Sequence, residues 1–331
     1  MKVKLGFPLI GLTLLIALAI TGAFTGLQFL MAVVFPYAAG AIFIAGLFWR
    51  VITWSRAPVA FHIPLVAGQQ RSLPWIKSHS VESPDTNGGL MGRMALEILF
   101  FRSLFRNDRV ELDRPQRLSF RGKRLLWLGS LAFHWSLLTI LLRHLRFFIE
   151  PVPSFVVFLR EIDGIFQQPW PLLYISDITI VLALGYLFAR RVVFPQLRYI
   201  SLASDYFAVL LIGSVAISGI LMKTVFQVNL ADVKELAMSL VRFHPVIPEG
   251  LNALFCVHIF LVSILLAYLP FSKMVHMAGI LFSPTRNLKN NSRMRRHVNP
   301  LNRPVVVHTY EQYEDQFRPA MKNAGLPVDK E

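Results

Sequence analysis

Four of the nine histidines, His134, His144, His258 and His276, stand within or at the ends of long apolar stretches. An ionisable side chain at such depth is costly and usually faces a bundle interior, where it serves a ligand or a pathway. Neutral imidazole is a good axial donor to haem iron, and two facing helices can clamp a flat macrocycle between them. Two histidines on each of two stretches therefore suit two bis-histidine haems b. Hydrogen bonding between helices, or a proton relay, would use the same residues. His62, His79, His244, His297 and His308 fall in polar loops and need only solvation or local hydrogen bonds. The single cysteine, Cys256, excludes an internal disulfide and a cysteine-ligated cluster or zinc site. Any sulfur-ligated cofactor belongs to a partner.

The elements that must position these histidines are membrane spans. Hydrophobic residues make up 54% of the 331 and charged residues 16%, against nearer a quarter charged in soluble domains. Between Lys4 and Arg50 no Asp, Glu, Lys or Arg occurs, a run long enough for two helical passes. The pattern predicts an all-α integral membrane bundle of six transmembrane helices, at residues 6–30, 34–54, 125–149, 170–189, 205–223 and 250–272. Phe35-Pro36-Tyr37 is the expected turn between the first two, and the first helix runs too long for a cleaved signal. A membrane sheet is excluded by the absence of ten-residue alternation.

Charge gives the sidedness. With both termini inside, 28 of the 34 Lys and Arg residues lie on the cytoplasmic side. The net charge of +15 thus orients the chain, and its scatter beside apolar spans argues against nucleic-acid binding. The expected organisation is an extra helix over residues 1–33, a first core helix over 34–54, a cytoplasmic segment over 55–124, a di-haem core over 125–277 and a cytoplasmic tail over 278–331. Residues 91–105 read as an Arg-rich amphipathic helix on the membrane surface or a partner, and 230–243 as an interfacial helix on the far side. Neither the segment nor the tail is expected to build a core of its own.

The third and sixth spans run antiparallel, so His134 faces His276 toward the inside and His144 faces His258 toward the outside. Ten residues separate the first helix's histidines, about 15 Å of rise, and eighteen separate the second's, about 27 Å. Tilt, or a break at Pro270, must absorb the difference. Arg124, Arg143, Arg146 and Lys273 stand at span ends, placed to meet haem propionates or simply to snorkel.

The spacing of His134 with His144, and of His258 with His276 three spans later, resembles the NarI-like di-haem cytochrome b family, the gamma subunit of respiratory nitrate reductase. The likeness covers residues 34–277, a five-helix core, to which this chain adds one N-terminal helix. The segment from Gly68 to Lys77, Phe101-Arg102-Ser103-Leu104-Phe105-Arg106-Asn107, Ser283-Pro284-Thr285-Arg286-Asn287, Arg296-His297-Val298-Asn299-Pro300 and His308-Thr309-Tyr310 resemble the cytochrome b branch of DsrMKJOP-type complexes within it. The resemblance implies two haems b, inner (His134, His276) and outer (His144, His258), with menaquinone/menaquinol as exchangeable partner. It further implies a cytoplasmic DsrK-like iron–sulfur subunit resembling heterodisulfide reductase, the other subunits of such a complex, and a role in dissimilatory sulfur metabolism. The chain is then an oxidoreductase subunit, inactive alone, in the cytoplasmic membrane of a prokaryote.

A quinol site needs an acceptor for the hydroxyl proton within hydrogen-bond reach. His144, Glu161, Asp163, Asp177 and Lys223 are the candidates on the outer side; Asp177 stands out because burial inside a span is costly. The family's quinol-site lysine has no counterpart near the start of the fourth span. The rival reading is a cofactor-free transporter or anchor whose histidines relay protons. It would favour inverted repeats and broken helices, and the sequence offers neither clearly.

Overall fold

The chain folds as a helical membrane bundle; the computed structural model describes residues 2–56, 68–113, 117–164, 173–283, 286–294 and 307–330. His62, His297, the Arg296–Pro300 motif and the first residues of the fourth span lie outside these. The first helix, α1 (Lys2–Phe24), ends in a turn at Gly26, whose φ of +77° is a left-handed conformation that residues with a Cβ rarely adopt. A π-helical turn (Leu30–Val34) then runs directly into α2 (Phe35–Ser55). The turn therefore falls at Gly26 and not at Phe35-Pro36-Tyr37. Pro36 follows the π-helical turn directly, inside a helix that continues through it.

Helices α3 (Asn87–Phe100) and α4 (Arg102–Phe105) come next, then the strands β1 (Asp108–Asp113) and β2 (Arg117–Gly122). The two strands pair antiparallel, Val110 opposite Phe120, so a small hairpin interrupts the otherwise helical chain. The third span is α5 (Arg124–His144), and α6 (Ser154–Asp163) lies beyond it. The fourth span α7 (Ile175–Val193), the short α8 (Pro195–Ile200) and the fifth span α9 (Ala203–Thr224) follow, then α10 (Leu230–Val241). The sixth span, α11 (Ala253–Tyr268), stops earlier than its apolar run; a 3₁₀ turn (Leu269–Phe271) holds Pro270, and a one-turn helix α12 (His276–Gly279) opens on His276. The tail contains α13 (Tyr310–Asn323). Five of the six spans are long and apolar enough to cross a membrane by length and composition; α7 carries Asp177, Arg190 and Arg191 near its ends.

Packing runs α5 on α7, α7 on α9, α9 on α11 and α11 on α2, with α1 against α9 and α11. The tight centre is Leu211, Cys256, Phe260 and Leu261, with Met31 and Ala32 from the π-helical turn. Lys4 Nζ donates to the Tyr199 carbonyl at 2.8 Å, which puts the start of α1 on the same face as α8. At the opposite face Tyr37 donates to the Leu240 carbonyl at 2.9 Å, tying α2 to α10. The first of these faces holds the excess of basic residues.

On that basic face the long segment and the tail do more than expected. Thr86 caps α3 by accepting from Gly89 N at 3.1 Å. The indoles of Trp127 and Trp135 on α5 donate to the carbonyls of Phe100 (2.7 Å) and Leu99 (3.0 Å), so the end of α3 is held against a span with its backbone satisfied. Glu82 gathers Arg102, at 2.8 Å, and Arg106, while Arg93 donates to its main-chain carbonyl at 2.6 Å. Residues of the tail are stitched on: Asn290 N donates to Pro84 O (2.7 Å), Asn290 Nδ2 to Ser83 Oγ (3.0 Å), and Arg286 pairs with Glu97 (3.1 Å). Segment and tail form one polar-stitched lobe, which neither could form alone. In α13, Thr309 and Gln312 make a reciprocal capping box, and the buried Glu314 accepts from Asp329 N and Lys330 N, both at 2.8 Å.

Burial opposes ionisation of Glu82, but the Arg102 and Arg106 guanidiniums outweigh it and hold its carboxyl below the usual carboxylate range. A carboxyl whose folded pKa is depressed stabilises fully above its unfolded value and loses that contribution as pH falls through the folded one. Hydrogen exchange in residues 68–107 and 286–294 should therefore accelerate together only below the ordinary glutamate range. Glu82→Gln should bring the same acceleration at neutral pH, by roughly 1–3 kcal/mol of local stability.

Candidate functional site

Each of the four intramembrane histidines has its Nδ1 already engaged. His134 meets the Ser130 carbonyl at 2.7 Å and His144 the Ile140 carbonyl at 2.7 Å, each one helical turn back. His276 meets the Lys273 carbonyl at 2.9 Å. His258 meets Ser218 Oγ at 2.8 Å, and since that hydroxyl donates to the Val215 carbonyl at 2.9 Å, it accepts from His258. A carbonyl can only accept, so the tautomer with the proton on Nδ1 satisfies all four. That leaves each Nε2 as a lone-pair donor, the protonation state of a metal-bound histidine with its second nitrogen tied.

The histidines fall into two pairs. The ring centroids of His134 and His276 are 6.0 Å apart, with the planes at 78°. Two imidazoles bound through nitrogen on opposite sides of one ion, at about 2 Å each, place their centroids about 6 Å apart. At the other face, His144 and His258 are close enough to interact electrostatically. Among the described residues α5 packs chiefly on α7, and α11 chiefly on α1, α2 and α9. On α9, a Cβ at Gly219 would lie 3.4 Å from His258 Cε1, so the glycine leaves that ring edge clear. The donor set fits a haem at each pair, and the His134–His276 spacing is that expected of two imidazoles sharing one iron. Among the described residues no cluster of three or more His, Cys, Asp or Glu side chains offers another metal centre.

One feature relieves the mismatch in rise along the two helices. The break at Pro270 takes His276 off the helix of α11, so the eighteen-residue separation is not a straight helical rise. Phe101, held at φ +49° between α3 and α4, packs edge-to-face against His134 with ring centroids 4.9 Å apart. The segment between the second and third spans thereby reaches the His134–His276 pair.

Beside the His144–His258 pair, three of the sequence candidates lie in one polar cluster. Arg143, 6% exposed, ion-pairs with Asp163 from α6 and donates to Ser176 Oγ at 3.1 Å. Asp163 also accepts from Ser176 N (2.8 Å) and Ser176 Oγ (2.7 Å). Lys223, arriving from the end of α9, ion-pairs with Asp177, whose carboxylate caps α7 by accepting from Tyr174 N at 3.2 Å. Tyr174 lies between them: the Arg143 guanidinium is 3.4 Å from its ring centroid and the Lys223 ammonium 5.1 Å. His144 stands within electrostatic reach of Arg143, Arg146 and Lys223. Glu161 is not part of this group; it is exposed on α6. A cavity of about 120 Å³, lined by Arg143, Arg146, Arg160, Val152, Val156 and Val157, opens between α6 and the end of α5.

Three contributors went unread in the sequence. Tyr174 and Ser176 precede an apolar run with Asp177, the signal of a helix start, and nothing links them to Arg143 except the fold. Ser218 is one small residue on a span, and only helix packing sets it against His258. Arg143, read as an interfacial side chain, is buried and paired.

Comparison with known proteins agrees with this architecture. The family model of the nitrate reductase gamma subunit matches residues 94–296, which takes in α5 through α12 and the second half of α3. An Archaeoglobus fulgidus protein called an Hdr-like menaquinol oxidoreductase cytochrome b-like subunit is 45% identical over 278 residues, covering 82% of this chain and 83% of that one. A protein of the same description from Archaeoglobus profundus is 38% identical over 326 residues, covering 89% of this chain and 96% of that one. The chain belongs to the nitrate reductase gamma subunit family.

The Arg143–Asp163 pair yields a stability test. Asp163→Asn leaves a guanidinium buried without its counter-ion and should cost about 3–5 kcal/mol. Adding Arg143→Met to the same chain should recover most of that loss, as read by thermal unfolding in detergent.

Proposed function

We propose that this chain is the membrane cytochrome b subunit of a quinone-linked oxidoreductase, exchanging electrons between menaquinone/menaquinol and a cytoplasmic iron–sulfur partner. One observation carries the reading: four imidazoles in two pairs, each with Nδ1 tied and Nε2 available. His134 with His276 would hold an inner haem b and His144 with His258 an outer one. When bound, haem iron supplies one-electron chemistry at each pair. Ser130, Ile140, Ser218 and Lys273 orient the imidazoles and fix the proton on Nδ1.

The outer cluster suits a quinol site. Oxidation of a quinol releases two electrons and two protons, so it needs hydrogen-bond acceptors beside a path for electrons. Lys223 and Asp177 can exchange a proton between them, and the Arg143–Asp163–Ser176 network holds Tyr174 beside them in a site sheltered from bulk water. The valines and guanidiniums of the neighbouring cavity suit an apolar ring bearing oxygens. Electrons would leave toward the basic face, where Phe101 meets His134.

The partner would dock on that face, taken as cytoplasmic from the distribution of Lys and Arg. Its surface includes exposed Trp75, Met91 and Phe105, side chains of the kind enriched at interfaces. The names of the two relatives favour an Hdr-like assembly. Within it we read the chain as DsrM-type, the partner as DsrK-like, and the setting as dissimilatory sulfur metabolism.

A reduced-minus-oxidised optical spectrum of the purified protein tests the reading. Two low-spin haems b should appear. His258→Ala should lose the outer haem and leave the inner one present but poorly reduced by menaquinol. His276→Ala should leave an outer haem that menaquinol reduces and that fails to pass electrons on. Protein without haem, or variants that each keep two low-spin haems, would overturn the di-haem assignment; a quinone inhibitor bound only beside His276 would overturn the outer site.

A further inference from the structure

His276 is not placed by the sixth span itself. The helix α11 ends at Tyr268, Pro270 lies in a 3₁₀ turn, and Ser272 is extended (φ −106°, ψ 174°) before a second 3₁₀ turn leads to His276. A segment with so few internal bonds needs outside anchors to hold one ring 6.0 Å from another. Two are present, on either side of Ser272. Upstream, Arg50 at the end of α2 donates from Nε to the Pro270 carbonyl at 3.1 Å. Gly46, one turn back on α2, admits the close approach: a Cβ there would come within 2.9 Å of both Pro270 and Phe271. Downstream, Lys273 Nζ pairs with Asp205 at 2.8 Å, and Asp205 is fixed near the start of α9 by accepting from Leu202 N at 3.0 Å. The Lys273 carbonyl is the group that engages His276 Nδ1. The anchors thus reach the imidazole through the main chain of residues 270–273, from two other spans.

We propose that Arg50 and Asp205 are positioning residues that together fix His276 opposite His134, and so set the ligation of the inner haem without touching it. The proposal rests on the di-haem reading above. Lys273 is 71% exposed, and an ion pair so open to solvent is worth little alone. Arg50, part-buried and bound to a carbonyl beside a fully buried proline, is therefore the stronger hand.

Arg50→Met, Asp205→Asn and the double variant of the full chain test it, by optical and electron paramagnetic resonance spectra and by redox titration of each haem. Arg50→Met should convert the inner haem from low spin to high spin or shift its midpoint potential, with the outer haem unchanged. Low-spin intensity should then fall by up to about half, one of two bis-imidazole centres being affected. Asp205→Asn should act in the same direction and less, the double variant most, and Arg50→Lys should recover part of the signal. A double variant with both haems at wild-type potentials overturns the proposal. So does equal loss of both haems, which would assign the two residues to folding of the bundle. Wild-type protein that lacks haem removes the di-haem reading itself, and wild-type protein with two haems keeps the outcomes separate.

Discussion

A carboxylate at the third position of a span, paired with a lysine from another span, occurs at both ends of the bundle: Asp177 with Lys223 and Asp205 with Lys273. In each case the carboxylate also accepts the backbone N–H that opens its own helix, at Tyr174 and at Leu202. One charge thus answers the positive end of the helix dipole and a distant ammonium at once. Hydrocarbon tails are as apolar as leucine, so burial alone gives spans little reason to choose a depth or a neighbour. Polar ties at the ends supply that choice, and the histidine pairs inherit their alignment from it.

The two ends differ in how closed they are. At the outer end Arg143, Asp163 and Asp177 are all buried, and Tyr174 is packed against both cations. At the inner end Lys273 is open and His276 is exposed on a broken segment, with α3 and Phe101 drawn in beside it. A closed polar network suits proton chemistry, where water must be controlled. An open end facing a polar lobe suits contact with another protein. Among the described residues the buried side chains of the lobe are mostly polar: Glu82, Glu97 and Asn290 each bind several partners from different stretches of chain. Such multiply bonded side chains can order a segment too polar for hydrophobic collapse, because each bond is made where water has been excluded.

Much was legible from the sequence alone. The long charge-free run, the apolar spans and the distribution of Lys and Arg determine a helical membrane bundle, because hydrocarbon admits only backbone satisfied within its own segment. Histidine is rare enough in such spans that His134, His144, His258 and His276 stand out as candidates by type and spacing. The helix at residues 230–243 was likewise readable, from a capped amphipathic pattern that ends at α10's last turn. Local sequence misled where two local signals competed: Phe35-Pro36-Tyr37 looks like a turn, yet the helix runs through Pro36 directly after a π-helical turn, and Gly26 made the bend.

Only the tertiary structure decided which partners those residues meet. Glu161 and Asp163 stand two residues apart on one short helix, and one is exposed while the other is buried against Arg143. Ser218 tethers His258, Ser176 joins Arg143 to Asp163, and Arg50 holds Pro270, each across a gap in sequence that no local pattern encodes. The same holds for the break that carries His276 off its helix: proline announces a stop, but where the chain goes afterward depends on what other spans offer to grip it. Periodicity and composition record the solvent each residue faces. Contacts between spans depend on rotation, depth and tilt, and those are set by all the helices together.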